Sequence, residues 1–192
     1  MKIGLFFGSF NPVHVGHLII ANYLVEHTDL SKVWMVVSPH NPLKKKATLA
    51  NDYDRLHLVR LATEDHPKLE ASKIEFDLPK PSYTVDTLAH LREQYPQHDF
   101  VLIMGGDSLA SLPKWKNYRE ILDKNEIYVY SRPDYTPAEE LKQHPHVRQF
   151  AAPLMQISAS FVRKCIRDGK SVRYLVTEPV FNYLEGSNLY RD

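Results

Sequence analysis

At 192 residues the chain is long enough for one well-buried domain with a small appended part, and too short for a large multidomain enzyme. Its 24 basic and 23 acidic side chains leave a formal net charge of +1, which gives no global field to hold nucleic acid or an anionic membrane, so any anion site must be local. One cysteine, Cys165, excludes a disulfide framework within the chain; set among Phe161, Val162 and Ile166, it reads as a small buried hydrophobe.

In chain order, apolar runs alternate with amphipathic stretches, the pattern of a parallel sheet covered by helices. Strands are predicted over residues 2–7, 32–37, 68–76, 100–104, 126–131 and 147–151. Three- and four-residue apolar spacing predicts helices over 13–26, 51–64, 85–95, 117–122 and 138–143, and two more over 160–168 and 178–186 close the chain. The expected fold is α/β: a Rossmann-like doubly wound parallel sheet with flanking helices and a small C-terminal helical part, with residues 1–192 as a single domain. Met1-Lys2 enters the first strand without a charged-then-apolar leader, and no run approaches the roughly 18 apolar residues that span a bilayer. A soluble, reducing, cytoplasmic setting is expected.

In open α/β sheets ligands bind beyond the carboxyl ends of the strands, where strand order reverses, so the polar strand exits matter most. The first is Gly8-Ser9-Phe10-Asn11-Pro12-Val13-His14-Val15-Gly16-His17. Gly8 lets backbone pass close to a ligand, Ser9 and Asn11 offer short polar groups, and Pro12 stiffens the turn before a helix. A helix start carries unpaired N–H groups and the positive end of the macrodipole, which together favour an anion. His14 and His17, three apart, share one helical face. The same pair reads more plainly as solvated histidines at a helix cap. Half of a zinc site is disfavoured, since there is a single cysteine and no HExxH-type partner.

The remaining exits are 38–46, 105–115 and Ser131-Arg132-Pro133. Neither a Gly-x-Gly-x-x-Gly fingerprint nor a Walker pattern occurs, so neither a dehydrogenase nor a P-loop kinase is supported. Pro81-Ser82-Tyr83-Thr84 leads into a helix with Thr84 placed as its cap. Trp115, beside a Pro-containing loop, reads either as core packing or as a flat surface for a heteroaromatic ring. Ile157-Ser158-Ala159-Ser160-Phe161-Val162-Arg163 sets two hydroxyls at a helix start and a guanidinium one turn inside. That is either a Ser cap with a solvated Arg or a polyphosphate clamp.

HxGH after a first strand, preceded by GSFNP, resembles the signature of the nucleotidyltransferase superfamily, and ISASxxR is similar to its second signature, ISxTxxR, with Ser160 in place of threonine. PSYTxxTL, GGDSLxSxPxW and SRP, in this order, resemble the nicotinate-nucleotide adenylyltransferases of NAD biosynthesis over practically the whole chain. The resemblance implies a single nucleotidyltransferase domain that transfers the AMP moiety of ATP to nicotinate mononucleotide, giving nicotinate adenine dinucleotide and pyrophosphate. It implies His14 and His17 as catalytic donors. Gly8, Ser9, Phe10, His14, His17, Lys44, Gly105, Asp107, Ser158, Ser160 and Arg163 would bind ATP, and Ser9, Tyr83, Thr84, Asp107, Trp115 and Arg132 would bind nicotinate mononucleotide. Gly106 would allow close approach. Mg²⁺ would arrive with ATP, with no dedicated protein metal site. The small-molecule substrates are the expected partners, without nucleic acid or membrane, and association into homo-oligomers is left open.

One departure stands out. Where the family often carries a Pro-Pro-His-Lys loop after the second strand, this chain has Asn41-Pro42-Leu43-Lys44-Lys45-Lys46, and Lys44 alone retains a matching cation. The rivals are another adenylyl- or cytidylyltransferase, against which the Thr84 and Trp115 loops argue, and a catalytically idle nucleotide-binding domain. An aminoacyl-tRNA synthetase is disfavoured by length and by the missing basic surface.

Overall fold

The computed structural model describes residues 1–39, 49–131 and 135–191. Six strands, β1 (Lys2–Gly8), β2 (Lys32–Val37), β3 (Leu69–Ser72), β4 (Asp99–Gly105), β5 (Glu126–Tyr130) and β6 (Val147–Phe150), form one sheet in the order β3-β2-β1-β4-β5-β6. Every pairing is parallel. Parallel strands buried on both faces need apolar residues at successive positions, and Ile3, Gly4, Leu5 and Phe6 are all buried in β1. The pleat sends Leu5 and Phe7 to one side and Phe6 to the other. Strand order reverses between β1 and β4, as expected for a doubly wound sheet.

On the Phe6 side, α1 (Val15–His27) buries Ile20, Ala21, Leu24 and Val25 against Val33, Val101 and Ile103. Its sequence is rich in Val, Ile, His and Tyr, whose helix propensity falls short of Ala by up to about 0.7 kcal/mol per residue. Burying each large aliphatic contributes about 1.5–3 kcal/mol, so packing holds this helix rather than propensity. On the Leu5 side, α3 (Thr84–Gln94) and α5 (Tyr118–Lys124) place Val85, Leu88, Leu91, Ile121 and Leu122 over Leu102 and Met104. α2 (Asp52–Thr63), α7 (Ala159–Arg167) and α8 (Glu178–Glu185) share a third cluster in which Leu56, Val59, Val162, Val180 and Leu184 surround Met35 and Val37. Cys165 is buried there as a free thiol. The short α6 (Glu139–Lys142) precedes β6.

Three differences from the sequence reading have physical causes. The third strand stops at Ser72 instead of running to residue 76, because a single 3-10 turn (Ile74–Asp77) follows. There Ile74 packs on the Leu5 side and Phe76 on the α2 side, while Glu75 between them turns inward, so the apolar alternation belongs to a turn with two packed flanks. Residues after β4, read as a polar loop, instead form α4 (Gly106–Ser111) and a 3-10 turn (Leu112–Lys114). Finally, α1 begins at Val15, with His14 as its extended N-cap, so Val13 lies outside the helix.

Candidate active site

The carboxyl ends of β1 and β4 flank the point of strand reversal, where the Gly8–His17 and Gly105–Trp115 segments leave the sheet. After Gly8 the chain turns at Phe10, whose φ of 44° is left-handed. A Cβ on Gly8 would lie 2.8 Å from the Phe10 ring, so glycine here makes room for that ring inside the protein, in addition to any ligand. Phe10 in turn packs edge-on against Phe6 and His17, with ring centroids 5.9 and 5.0 Å away.

The His17 ring caps the start of α1. The His17 N–H donates to the His14 carbonyl at 3.0 Å, and the His14 N–H donates to His17 Nδ1 at 3.2 Å. Their rings stack with centroids 3.7 Å apart and an interplanar angle of 27°. Because Nδ1 of His17 accepts, a neutral His17 ring carries its proton on Nε2, the nitrogen that can donate to a phosphate oxygen. Part of the helix start is already satisfied, since the Val15 N–H donates to the Leu175 carbonyl at 2.9 Å.

The second motif meets the first. Ser158 is the N-cap of α7, accepting from the Phe161 N–H at 3.1 Å. Arg163, one turn inside, donates from Nη1 to the Asn11 carbonyl at 2.7 Å and from Nη2 to Ser160 Oγ at 3.3 Å. Asn11 lies between Gly8 and His14, so the starts of α1 and α7 stand side by side although 152 residues separate Asn11 from Arg163. Burial lowers the Arg163 pKa, and the buried Nε of Arg163 has no hydrogen-bond partner among the described residues.

Asp107 lies in the first turn of α4, just past β4. A Cβ on Gly105 would clash with the Asp107 carboxylate and lie 3.0 Å from the Tyr130 ring, so glycine is required for Asp107 to fold back over the strand end. Tyr130 touches Phe6, and Phe6 touches His17, so one aromatic row links the β4 exit to the histidines. Thr84 is the first residue of α3; Tyr83, not Thr84 as the sequence suggested, is the N-cap. Tyr83 and Trp115 both pack against the Leu5-side core. Lys116 joins their loops, with Nζ 4.7 Å from the Tyr83 ring centroid and 2.8 Å from Asp86. Lys44 and Arg132 lie outside the described residues.

Sequence reasoning missed two residues that hold this arrangement. Arg55 is wholly buried and uses all five N–H donors, to the carbonyls of Ala50 (3.0 Å), Ser9, Ser38 (2.9 Å) and Pro39 (3.3 Å) and to the Asp52 carboxylate (2.7 Å). It ties the β1 exit to the β2 exit and to the start of α2. Its one available signal was position: Leu58 and Val59, three and four residues on, lie on the apolar stripe of the helix. Glu75 is the other, buried beneath the loop that leads to Thr84. Among the described residues, no cluster of three or more His, Cys, Asp or Glu is arranged to hold a metal ion, and no helix is long and apolar enough to cross a membrane. A cavity of about 580 Å³ opens at the opposite end of the sheet, beside Lys2, Arg92, His98, Asp99, Glu126 and His146. It mixes both signs of charge and contains none of the motif residues.

The profile of the cytidylyltransferase-like family matches residues 5–165. A relative from Flavobacterium johnsoniae, described as a probable nicotinate-nucleotide adenylyltransferase, is 54% identical over 192 residues, covering 100% of each chain. The chain belongs to the nicotinate-nucleotide adenylyltransferase family. A relative from Bacteroides thetaiotaomicron with the same description is 45% identical, covering 96% of this chain and 91% of its own. Solved structures share the fold. Plasmodium falciparum nicotinic acid mononucleotide adenylyltransferase complexed with NaAD superposes with a TM-score of 0.83 at 18% identity, covering 98% of this chain and 97% of the other. A Vibrio parahaemolyticus structure of the same type gives 0.73 at 19% identity, covering 100% and 96%. At such identities the likeness establishes the fold.

Proposed function

We propose that the chain, acting as a single nucleotidyltransferase domain, transfers the AMP moiety of ATP to nicotinate mononucleotide, releasing pyrophosphate and forming nicotinate adenine dinucleotide. Family membership supports the reaction. The observation that supports the site is the contact between Arg163 and the Asn11 carbonyl, beside the starts of α1 and α7, to which His14, His17, Ser158 and Ser160 belong.

In this reading Ser158, Ser160 and Arg163 hold the β- and γ-phosphates, and His14 and His17 donate to phosphate oxygens as charge moves to the leaving pyrophosphate. A 5′-phosphate oxygen of nicotinate mononucleotide attacks the α-phosphorus in line, and the bond to the bridging oxygen breaks. The nucleophile is already ionised, so neutralisation and alignment do the work and no strong base is needed. Gly8, Ser9 and Phe10 shape the wall of the phosphate site, and Gly105 and Asp107 face the ribose hydroxyls. Tyr83, Thr84 and Trp115 receive the nicotinate ring and its carboxylate. Lys44 and Arg132 belong to the proposal by sequence alone. A divalent cation, which we take to be Mg²⁺, would come bound to the triphosphate. A cytoplasmic setting, where ATP is supplied, belongs to the same reading.

Pyrophosphate release measured with ATP and either acceptor tests the assignment. Nicotinate mononucleotide should be used roughly 100-fold more efficiently than nicotinamide mononucleotide, because a site built to hydrogen-bond a carboxylate is left unpaired by an amide. Equal efficiency would remove the carboxylate-reading role from the Thr84 loop.

A further inference from the structure

Glu75 is a buried carboxylic acid that the reaction above does not use. It is 3% exposed, in the 3-10 turn between β3 and α3. Thr87 Oγ1 donates to Glu75 Oε1 at 2.8 Å, and the hydroxyls of Ser38 and Ser82 lie close enough to the carboxyl to favour its ionised form against burial. Each of these contacts leads to the site. Ser38 directly follows β2, its N–H donating to the Gly8 carbonyl at 2.9 Å and its own carbonyl accepting from Arg55. Ser82, itself buried, directly precedes Tyr83 and Thr84. The Thr87 hydroxyl also lies 3.2 Å from the Tyr83 carbonyl, which accepts the first helical N–H bonds of α3 from Asp86 and Thr87 at 3.0 Å each. One carboxyl thus fastens the β2 exit, the residue before Tyr83 and the first turn of α3 to one another.

From this we infer that Glu75 is a positioning residue for the acceptor subsite, fixing the Ser82–Tyr83–Thr84 backbone where it meets the nicotinate carboxylate and so setting selectivity for the acid over the amide. This rests on the reading of Thr84 given above. Chemistry explains why a carboxylic acid serves here. Burial favours its neutral form, in which one oxygen accepts and the O–H donates. The Thr87 hydroxyl that donates to Glu75 also lies against the Tyr83 carbonyl, so the carboxyl holds the first turn of α3 through it.

Steady-state kinetics of Glu75→Ala, Glu75→Gln, Ser82→Ala and Thr84→Ala, with each substrate varied in turn, test the inference. Glu75→Ala should raise KM for nicotinate mononucleotide roughly tenfold, the equivalent of one buried hydrogen bond lost, leave KM for ATP within about twofold, and narrow the preference over nicotinamide mononucleotide. Glu75→Gln, which also pairs one acceptor with one donor, should restore both quantities. If Glu75→Ala does not fold, Ser82→Ala must show the same split in a milder form. An unchanged acceptor KM, or equal rises for both substrates, overturns the inference. Thr84→Ala separates the two levels: if it leaves selectivity untouched, the subsite reading itself fails, whereas lost selectivity in Thr84→Ala with none in Glu75→Ala and Ser82→Ala rejects Glu75 alone.

Discussion

His17 and Arg163 stand on adjacent helix starts but should fail differently when removed. The Nε2–H of His17 is assigned to charge that develops as pyrophosphate leaves, so His17→Ala should lower kcat by about 10²–10³, with a modest change in ATP affinity. Arg163 is assigned to phosphates carrying charge before and after transfer, so Arg163→Ala should chiefly raise KM for ATP, by roughly tenfold or more. Near-normal turnover in the first variant, or an unchanged ATP KM in the second, contradicts the corresponding role. Both residues were legible in the sequence because they sit in short polar motifs next to apolar runs. Glu75 was not, since a lone acid between Ile74 and Phe76 reads as the outward side of a strand. Burial holds its carboxyl above the ordinary value of 4.5, so the folded protein keeps that proton at pH values where the unfolded chain has lost it. Stability should therefore fall as pH rises from about 4.5 through the raised value, and Glu75→Gln, which cannot ionise, should lack this component. Thermal melts from about pH 4 to about pH 7 should show the difference in Tm moving in favour of the variant with rising pH, and a constant difference would contradict the assignment.

Helices and loops were readable from sequence only as far as their apolar pattern extended. α1, α2, α3, α7 and α8 were each anticipated to within two residues at either end, because each lays a three- and four-residue stripe on the sheet. α4 went unread, since Gly105-Gly106-Asp107-Ser108 has the composition of a turn, and its place is set by tertiary contact at Leu109, which is fully buried. The joining of the loops was invisible for a similar reason: a charged Arg55 reads as solvent-facing, whereas its guanidinium is the bracket across three chain segments. Arg55→Leu would leave the carbonyls of Ser9, Ser38, Pro39 and Ala50 without their donor, so a loss of roughly 3–5 kcal/mol is expected in urea unfolding. A loss under about 1 kcal/mol would mean that these exits hold their positions without it.

For the molecule as a whole, the division of labour follows the strand reversal. In the proposed site, β1 and β4 would carry the phosphate and ribose exits at the centre of the sheet, α7 the second clamp and α3 the acceptor loop. The alternation of strands and helices foretold this layout, but which exits converge is a matter of three-dimensional packing that sequence order does not encode. The central claim is that the starts of α1 and α7 cradle one triphosphate. A crystal structure with a non-hydrolysable ATP analogue tests it most directly. The account predicts a β- or γ-phosphate oxygen within hydrogen-bond distance of Arg163, and His17 Nε2 within the same reach of the triphosphate. A triphosphate bound in the charged cavity at the opposite end of the sheet, or touching only one of the two helix starts, would contradict it.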